Sequence, residues 1–451
     1  MGKLFGTDGI RGVVGENLTA EMAYRVGQSV ATVLKEDKGS RPVIIIGKDT
    51  RISSDMLENA LIAGICSVGG DVMPVGDIPT PGVAYLTRQE KADAGIVISA
   101  SHNPYEHNGI KVFNGEGYKL SDAVESRIEE KILSDQPMEL CTRGDIGRRH
   151  HGMNRLREDY VEYVAKTIDC DLAGLRILVD CANGAASATA EDLFDHFKAY
   201  VDIIYRDPDG VNINNGCGST HMDTLAKMVV AGGYDVGVAF DGDADRCLLV
   251  DETGGMIDGD KVMAVCARDL KQRGLLKGNT VVATVMSNLG FHEFCRNNDI
   301  DVICTNVGDR YVLEKMMECG YCIGGEQSGH TIFTDIETTG DGEVTALQFL
   351  QVLARSGMKA SELVSACPTY PQVLVNVAVP HSGGVKEKIM ASPELWEAVK
   401  REEEALAGAG RVLVRASGTE ALIRVMVEAK TVELAQQVTD KLVDFIKSLN
   451  F

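Results

Sequence analysis

Residues 241–246 read Asp-Gly-Asp-Ala-Asp-Arg. Three carboxylates alternate with the two smallest spacers, so one tight loop can aim all three at one point. Apolar runs lead in (236–240) and out (247–250), which makes this a strand–loop–strand. A cation normally offsets that much repulsion, and hard oxygen ligands with room left for water or a phosphate oxygen suit Mg²⁺. A solvated acidic turn is the bland rival. A calcium loop is the sharper one, since Glu252 falls at its twelfth position. Arg246 stands where that loop needs glycine, however, and strands rather than helices flank it.

Other chemistry-bearing residues also follow strand-like runs. Ser99-Ala-Ser101-His-Asn-Pro104 comes after 96–98. It reads either as an ordinary Asn-Pro turn or as the loop of a phosphoryl-carrying Ser101, whose phosphate would give Mg²⁺ the ligand that Asp241, Asp243 and Asp245 leave unfilled. His102 adjoins it in sequence, which is a poor place for a base acting on Ser101, and no nucleophile-elbow pattern surrounds it. Gly325-Glu326-Gln-Ser328-Gly-His330 sets polar groups at every second position. Glu326 and Ser328 suit sugar hydroxyls, and His330 is a candidate acid or base. Arg11 and Lys111 are candidates for phosphate binding or proton transfer; a lysine base would need its pKa lowered from about 10.4. In the last segment Arg415 and Arg424 offer forked donors to phosphate, with Ser417, Gly418 and Thr419 supplying hydroxyl and backbone N–H groups. Arg424 shares a strand with Ile423, Val425 and Val427, which face the other way. No Gly-Lys-Ser/Thr follows, so this is not a P-loop.

The elements that must position these loops alternate along the chain. Short β-branched runs at 43–46, 71–75, 94–98, 175–179, 201–205, 236–240, 280–284, 301–305 and 321–323 are separated by helical periodicity, as in residues 53–68. That rhythm predicts doubly wound α/β layers, whose ligands sit beyond the carboxyl ends of strands. The C-terminal part differs: an alternating strand at 372–379, strands at 411–415 and 422–427, and a closing helix at 432–449 predict an α+β domain. Boundaries are expected in the polar stretch 136–154, at the Glu-Thr-Gly-Gly turn near 253 and at Pro368–Pro371. Four domains result: 1–153, 154–253, 254–368 and 369–451.

Composition sets limits. The 451 residues suffice for roughly three or four domains of about 100–150 each. A formal charge of −21 argues against nucleic acid and anionic membranes as partners. A phosphorylated small-molecule substrate would then rely on the local arginine and lysine clusters named above. Twelve cysteines without a spacing framework, Cys181, Cys266 and Cys304 among them in apolar runs, predict reduced, buried thiols. Cys319-Gly-Tyr-Cys322 lacks a second ligand pair for zinc and is read as packing. The first residues hold no signal-peptide-like or transmembrane run, and a cytoplasmic location is expected. Oligomeric state stays open, a homodimer included.

Together these motifs resemble the α-D-phosphohexomutase superfamily. The likeness covers the whole chain through Gly6-Thr-Asp-Gly-Ile-Arg-Gly12, Ser99–Pro104, Asp241–Arg246, Gly324–His330 and Arg415–Glu420, in that order. Ser-Ala-Ser-His-Asn-Pro, Gln327 within the sugar loop, and Arg424-Val-Met-Val-Glu428 look most like the branch acting on glucosamine phosphates. The resemblance implies three related α/β domains with mixed sheets and a smaller α+β domain around a central cleft. It implies Ser101 as phosphoserine; Mg²⁺ on Asp241, Asp243, Asp245 and that phosphate; and Glu326 and Ser328 on sugar hydroxyls. Arg415, Ser417, Gly418, Thr419 and Arg424 would hold the idle phosphate. Lys111 and His330 are the implied acid/base pair, with Arg11 and Arg246 beside the phosphoserine, and a sugar 1,6-bisphosphate is the implied activator and intermediate. A phosphomannomutase or phosphoglucomutase is the alternative, and a Mg²⁺-dependent phosphatase with Asp241 as nucleophile is a different class. Two departures, Tyr105-Glu-His107 and Ala421, bear on substrate preference rather than on the chemistry.

Overall fold

A computed structural model describes residues 4–6, 8–134, 136–152, 154–380, 384–417 and 421–449. Its residues group into two units, one of 1–286 with 299–365 and one of 287–298 with 366–451.

The first unit holds three sheets built on one plan. In the first, β2 (Val43–Lys48) pairs in parallel with β3 (Asp71–Asp77) and β4 (Ala94–Ile98). Then β5 (His107–Asn114) returns antiparallel to β4, and β1 (Ile10–Val13) lies antiparallel on its far side. The second repeats this with β6 (Arg176–Asp180) parallel to β7 (Tyr200–Ile204) and β8 (Val236–Phe240), β9 (Cys247–Asp251) antiparallel to β8, and β10 (Met256–Ile257) at the edge. The third has β11 (Thr280–Thr284) parallel to β12 (Asp301–Thr305) and β13 (Ile323–Gly325), with β14 (Thr331–Phe333) antiparallel to β13.

The central strands are apolar on both faces because helices cover both faces. In the first sheet Ile44, Ile46, Ile96, Ile98 and Ile110 share a buried core with Leu57, Leu61 and Ile65 of helix Ser54–Ser67 and with Val26, Val30 and Val33 of helix Ala20–Lys38. Helix Thr80–Gln89 packs on β2 and β4 from the opposite face. The parallel strands lie close to their expected places. Four others, β1, β5, β10 and β14, were not anticipated. Lys111 stands on β5.

The second unit is α+β, as expected. Strands β15 (Gln372–Ala378), β17 (Leu422–Ala429) and β16 (Gly410–Ala416) form an antiparallel sheet in that spatial order. Ile423, Val425 and Val427 pack with Val438, Leu442 and Ile446 of helix Val432–Ser448. Residues 287–298 group with this unit. Glu428, fully buried, accepts from Leu289 N (2.9 Å) and Asn288 Nδ2 (3.3 Å) while Arg411 Nε sits 2.7 Å from it.

Two cysteine expectations need correction. Cys304, on edge strand β12, is exposed. Cys319 is exposed while Cys322 is buried, its thiol against Leu275 O at 3.6 Å, so the pair does not share one environment.

Candidate active site

The shared plan of the three sheets explains where the chemistry lies. In each, the chain leaves the third parallel strand and turns back into an antiparallel partner. That turn holds residues 99–106 between β4 and β5, residues 241–246 between β8 and β9, and residues 326–330 between β13 and β14. All three lie at carboxyl ends of parallel strands, where open α/β sheets bind ligands. Their side chains meet. Ser101 Oγ donates to Asp241 Oδ2 at 2.6 Å, and His330 Nδ1 stands 3.7 Å from Asp245 Oδ2.

The aspartates are buried, and one oxygen from each lies within 4.8 Å of the others; among the described residues no other His, Cys, Asp or Glu group is so arranged. Asp243 Oδ2 accepts from Thr80 Oγ1 and Lys111 Nζ, both at 2.7 Å. Lys111 Nζ is also 3.5 Å from Asp245 Oδ2. Burial, reinforced by the charges of Asp245 and Asp243, pushes Asp241 up to about 8. Burial opposes ionisation of Asp245 too, but Lys111, His330 and Arg246 outweigh it and hold that carboxyl well below the usual range. Asp243 Oδ1 and Asp245 Oδ1 are buried and accept no hydrogen bond. Orphaned carboxylate oxygens facing one point fit a hard divalent cation. Glu252, the would-be calcium ligand, instead accepts from Ser361 N at 3.1 Å and Ser361 Oγ at 2.5 Å.

Lys111 is almost fully buried. Burial alone would strip its proton, yet Asp243 and Asp245 raise its pKa. In this arrangement it stands as counter-ion to the triplet, and a bound dication would weaken that hold. His330 is also buried. Its Nε2 accepts from Gly340 N at 3.2 Å and lies 3.5 Å from Asp309 Oδ2, leaving Nδ1 to carry the ring proton toward Asp245. Burial disfavours the imidazolium, but Asp245, Asp309 and Glu326 together raise its pKa.

Arg11 on β1 and Arg246 after the triplet each keep a buried Nε that makes no hydrogen bond. Both guanidinium charges, after burial, help lower the pKa of His102. His102 Nδ1 lies 3.2 Å from Ser101 Oγ, although the two are adjacent in sequence. The reason is Ser101's backbone: φ is +53°, so the chain folds back and both side chains face the same side. A His102 imidazole beside the hydroxyl, itself under the influence of two arginines with bare Nε groups, suits a phosphate ester better than a bare serine. Glu326 accepts from Gly308 N at 2.9 Å and from Ser328 Oγ at 3.3 Å, and Ser328 is exposed.

Sequence reading missed Thr80, which fixes Asp243, and a charged chain behind His330. Lys119 Nζ bridges Asp309 (2.7 and 2.9 Å) and Asp8 (3.3 Å), and Asp309 faces the imidazole. No local motif marks Thr80, Lys119 or Asp309; only their tertiary neighbours do, and Asp8, inside the Gly6–Gly12 motif, was given no role.

In the second unit Arg415 and Arg424 stand directly opposite on β16 and β17, with Asn376 opposite Arg424 on the other side. Burial and the facing Arg424 lower the pKa of Arg415. Two guanidinium groups in register repel unless an anion joins them. Ser417 is buried, and Lys386 Nζ donates to its carbonyl at 2.8 Å; Lys386 was not anticipated. Gly418 and Thr419 lie outside the described residues.

Since Asp241 keeps its proton below about pH 8, cation binding must displace it. Apparent Mg²⁺ affinity of the unphosphorylated protein should therefore rise with pH up to that point, by about tenfold per unit. Calorimetric titration between pH 6.5 and 8.5 checks this; a pH-independent affinity would contradict it.

Comparison with known proteins agrees with this geometry. Residues 2–138, 158–255, 258–370 and 374–445 match the phosphoglucomutase/phosphomannomutase alpha/beta/alpha domains I, II and III and C-terminal domain, respectively. A phosphoglucosamine mutase of Desulforamulus reducens is 52% identical over 450 residues, covering 100% of both chains. One of Caldanaerobacter subterraneus is also 52% identical, over 447 residues and 99% of each chain. In structure, a phosphoglucomutase/phosphomannomutase family protein of Burkholderia thailandensis superposes with a TM-score of 0.81 at 23% identity, covering 99% and 98% of the two chains. An Aspergillus fumigatus N-acetylphosphoglucosamine mutase in complex with GlcNAc-6P and magnesium reaches 0.70 at 18% identity, covering 98% and 95%; at such identities the likeness is of fold. Among the described residues no helix is long and apolar enough to cross a membrane. Four domains of one family in order, with full-length relatives sharing half their residues, make this chain a member of the phosphoglucomutase/phosphomannomutase family.

Proposed function

We propose that the chain interconverts glucosamine 6-phosphate and glucosamine 1-phosphate, with Ser101 as phosphoryl carrier and a 1,6-bisphosphate as intermediate. The observation that carries the reading is the 2.6 Å contact of Ser101 Oγ with Asp241, a residue from another sheet. It puts a potential phosphate ester beside the aspartate triplet, in a site where Arg11 and Arg246 each keep a buried Nε without a hydrogen bond. The half-identical relatives named phosphoglucosamine mutase favour glucosamine phosphates over glucose or mannose phosphates.

In the first half-reaction a free sugar hydroxyl attacks the phosphorus of phosphoserine 101. The serine O–P bond breaks as the sugar O–P bond forms. The hydroxyl's proton goes to a base, and Ser101 oxygen leaves as the alcohol. The bisphosphate then turns over, and Ser101 takes back the other phosphoryl group by the reverse of the same exchange. Such transfer depends on in-line placement and charge neutralisation. Arg11 and Arg246 would grip the transferring group. Lys111 and His330 would handle the hydroxyl proton, one giving as the other takes. Glu326 and Ser328 would orient the ring, and Arg415, Ser417, Gly418, Thr419 and Arg424 would hold the idle phosphate. Asp241, Asp243, Asp245 and an oxygen of the serine phosphate would hold Mg²⁺, which when bound supplies charge neutralisation of the phosphoryl group. The four modules are taken as 1–153, 154–253, 254–368 and 369–451, with 287–298 packed into the last.

With Mg²⁺ and a trace of hexose 1,6-bisphosphate, the protein should isomerise glucosamine 6-phosphate with higher kcat/KM than glucose or mannose 6-phosphate. Ser101→Ala should lower turnover at least about a thousandfold, because only binding remains once the carrier is gone, and should leave the unfolding midpoint near wild type. Retained turnover would refute the carrier role, and a phosphate mapped to Asp241 would point to a phosphatase. Arg415→Ala should raise KM about tenfold or more with a smaller change in kcat, since a charge-assisted bond contributes about 1.5–3 kcal/mol and the idle phosphate is gripped alike in ground and transition states. Steady-state kinetics separate the two parameters, and an unchanged KM would contradict the clamp.

A further inference from the structure

Ser101 holds a left-handed backbone that a non-glycine residue keeps only when its surroundings impose it. Here both of its backbone polar atoms are taken. Its N–H donates to Ser99 Oγ at 2.9 Å. Its carbonyl accepts from Arg51 Nη2 at 2.8 Å and from Asn214 Nδ2 at 2.9 Å. The same two side chains grip the rest of the turn. Arg51 Nη1 donates to Pro104 O at 2.5 Å, and Asn214 Nδ2 to Asn103 O at 3.1 Å. Because Asn214 must donate to two carbonyls, the orientation of its amide is settled.

Arg51 is itself fixed. Asp49, just past the end of β2, accepts from Arg51 Nε (2.9 Å) and Ser99 Oγ (2.7 Å) on Oδ2. On Oδ1 it accepts from Arg51 N and Ser54 Oγ, both at 3.1 Å. The Asp49 and Arg51 side chains are 0% exposed. A salt bridge so enclosed is a poor source of stability, because desolvation offsets its attraction. What it can supply is geometry. Gly242, inside the metal loop, closes the arrangement: a Cβ there would come within 2.5 Å of Ser101 O. None of the four side chains of Asp49, Arg51, Ser99 and Asn214 touches Ser101 Oγ in these hydrogen bonds.

We propose that Asp49, Arg51, Ser99 and Asn214 are positioning residues of the phosphoryl carrier. They hold Ser101 left-handed so that its oxygen stays against the aspartate triplet through both transfers. The inference rests on Ser101 being the carrier and adds how the fold keeps that carrier in line, where a small misplacement costs rate out of proportion to binding.

The test compares Ser99→Ala, Ser99→Thr and Asn214→Ala with the wild-type chain on glucosamine 6-phosphate, with the phosphate on Ser101 followed by intact mass. Both alanine variants should lose about ten- to a hundredfold in kcat, with KM within about twofold and an unfolding midpoint near wild type. Ser99→Thr, which keeps the hydroxyl, should recover most of the rate. Unchanged kcat in Asn214→Ala, or a loss confined to KM, overturns the inference. If Ser99→Ala does not fold, Asn214→Ala decides alone, because the backbone bond of Asn214 N to Ala182 O survives that change. Wild-type turnover with variants that match it sinks only this inference, whereas a wild-type chain that never carries phosphate on Ser101 sinks the carrier reading and this inference with it.

Discussion

Three carboxylates are buried at the end of one strand, and their mutual repulsion has to be met by something. Around Asp241, Asp243 and Asp245 the chain sets Lys111 from β5, Arg246 from the same loop and His330 from the third sheet. Each comes from a different element, so the charge balance is also a tie between sheets. Even so, two carboxylate oxygens stay without hydrogen bonds and Asp241 is driven toward its protonated form. Buried carboxylate oxygens without hydrogen bonds fit a hard divalent cation.

The repeated sheet plan places this balance. Each of the three sheets turns from its third parallel strand into an antiparallel return strand, and each return follows one of the polar loops. One repeat contributes the Ser101 hydroxyl, one the aspartate triplet, and one Glu326 and the His330 imidazole. An ordinary hairpin position has been given three different chemistries by changing a few residues, while the buried apolar strands beneath stay alike.

How much of this could be read from the sequence follows from how local each signal is. The aspartate triplet, Ser101 and the Glu326 loop were legible because each is a short polar motif after an apolar run. The parallel strands were legible for the same reason. Strands β1, β5, β10 and β14 were not. β10 and β14 have two and three residues, and β5 starts His-Asn-Gly, which reads as a turn; tertiary pairing makes them strands. That His102 Nδ1 lies 3.2 Å from Ser101 Oγ was not legible either, because the left-handed backbone of Ser101 is a tertiary feature. Thr80 lies 163 residues from Asp243, Lys119 lies 190 from Asp309, and Arg51 lies 50 from Ser101, so no short window of sequence contains them with those partners.

Diffraction from crystals soaked in Mn²⁺, a scatterer that accepts the same oxygen ligands as Mg²⁺, tests the central claim most directly. An anomalous peak about 2 Å from an oxygen of each of Asp241, Asp243 and Asp245 and from an oxygen borne on Ser101 is the expected result. A peak elsewhere, or a cation held by the aspartates with Ser101 turned away from it, would contradict it.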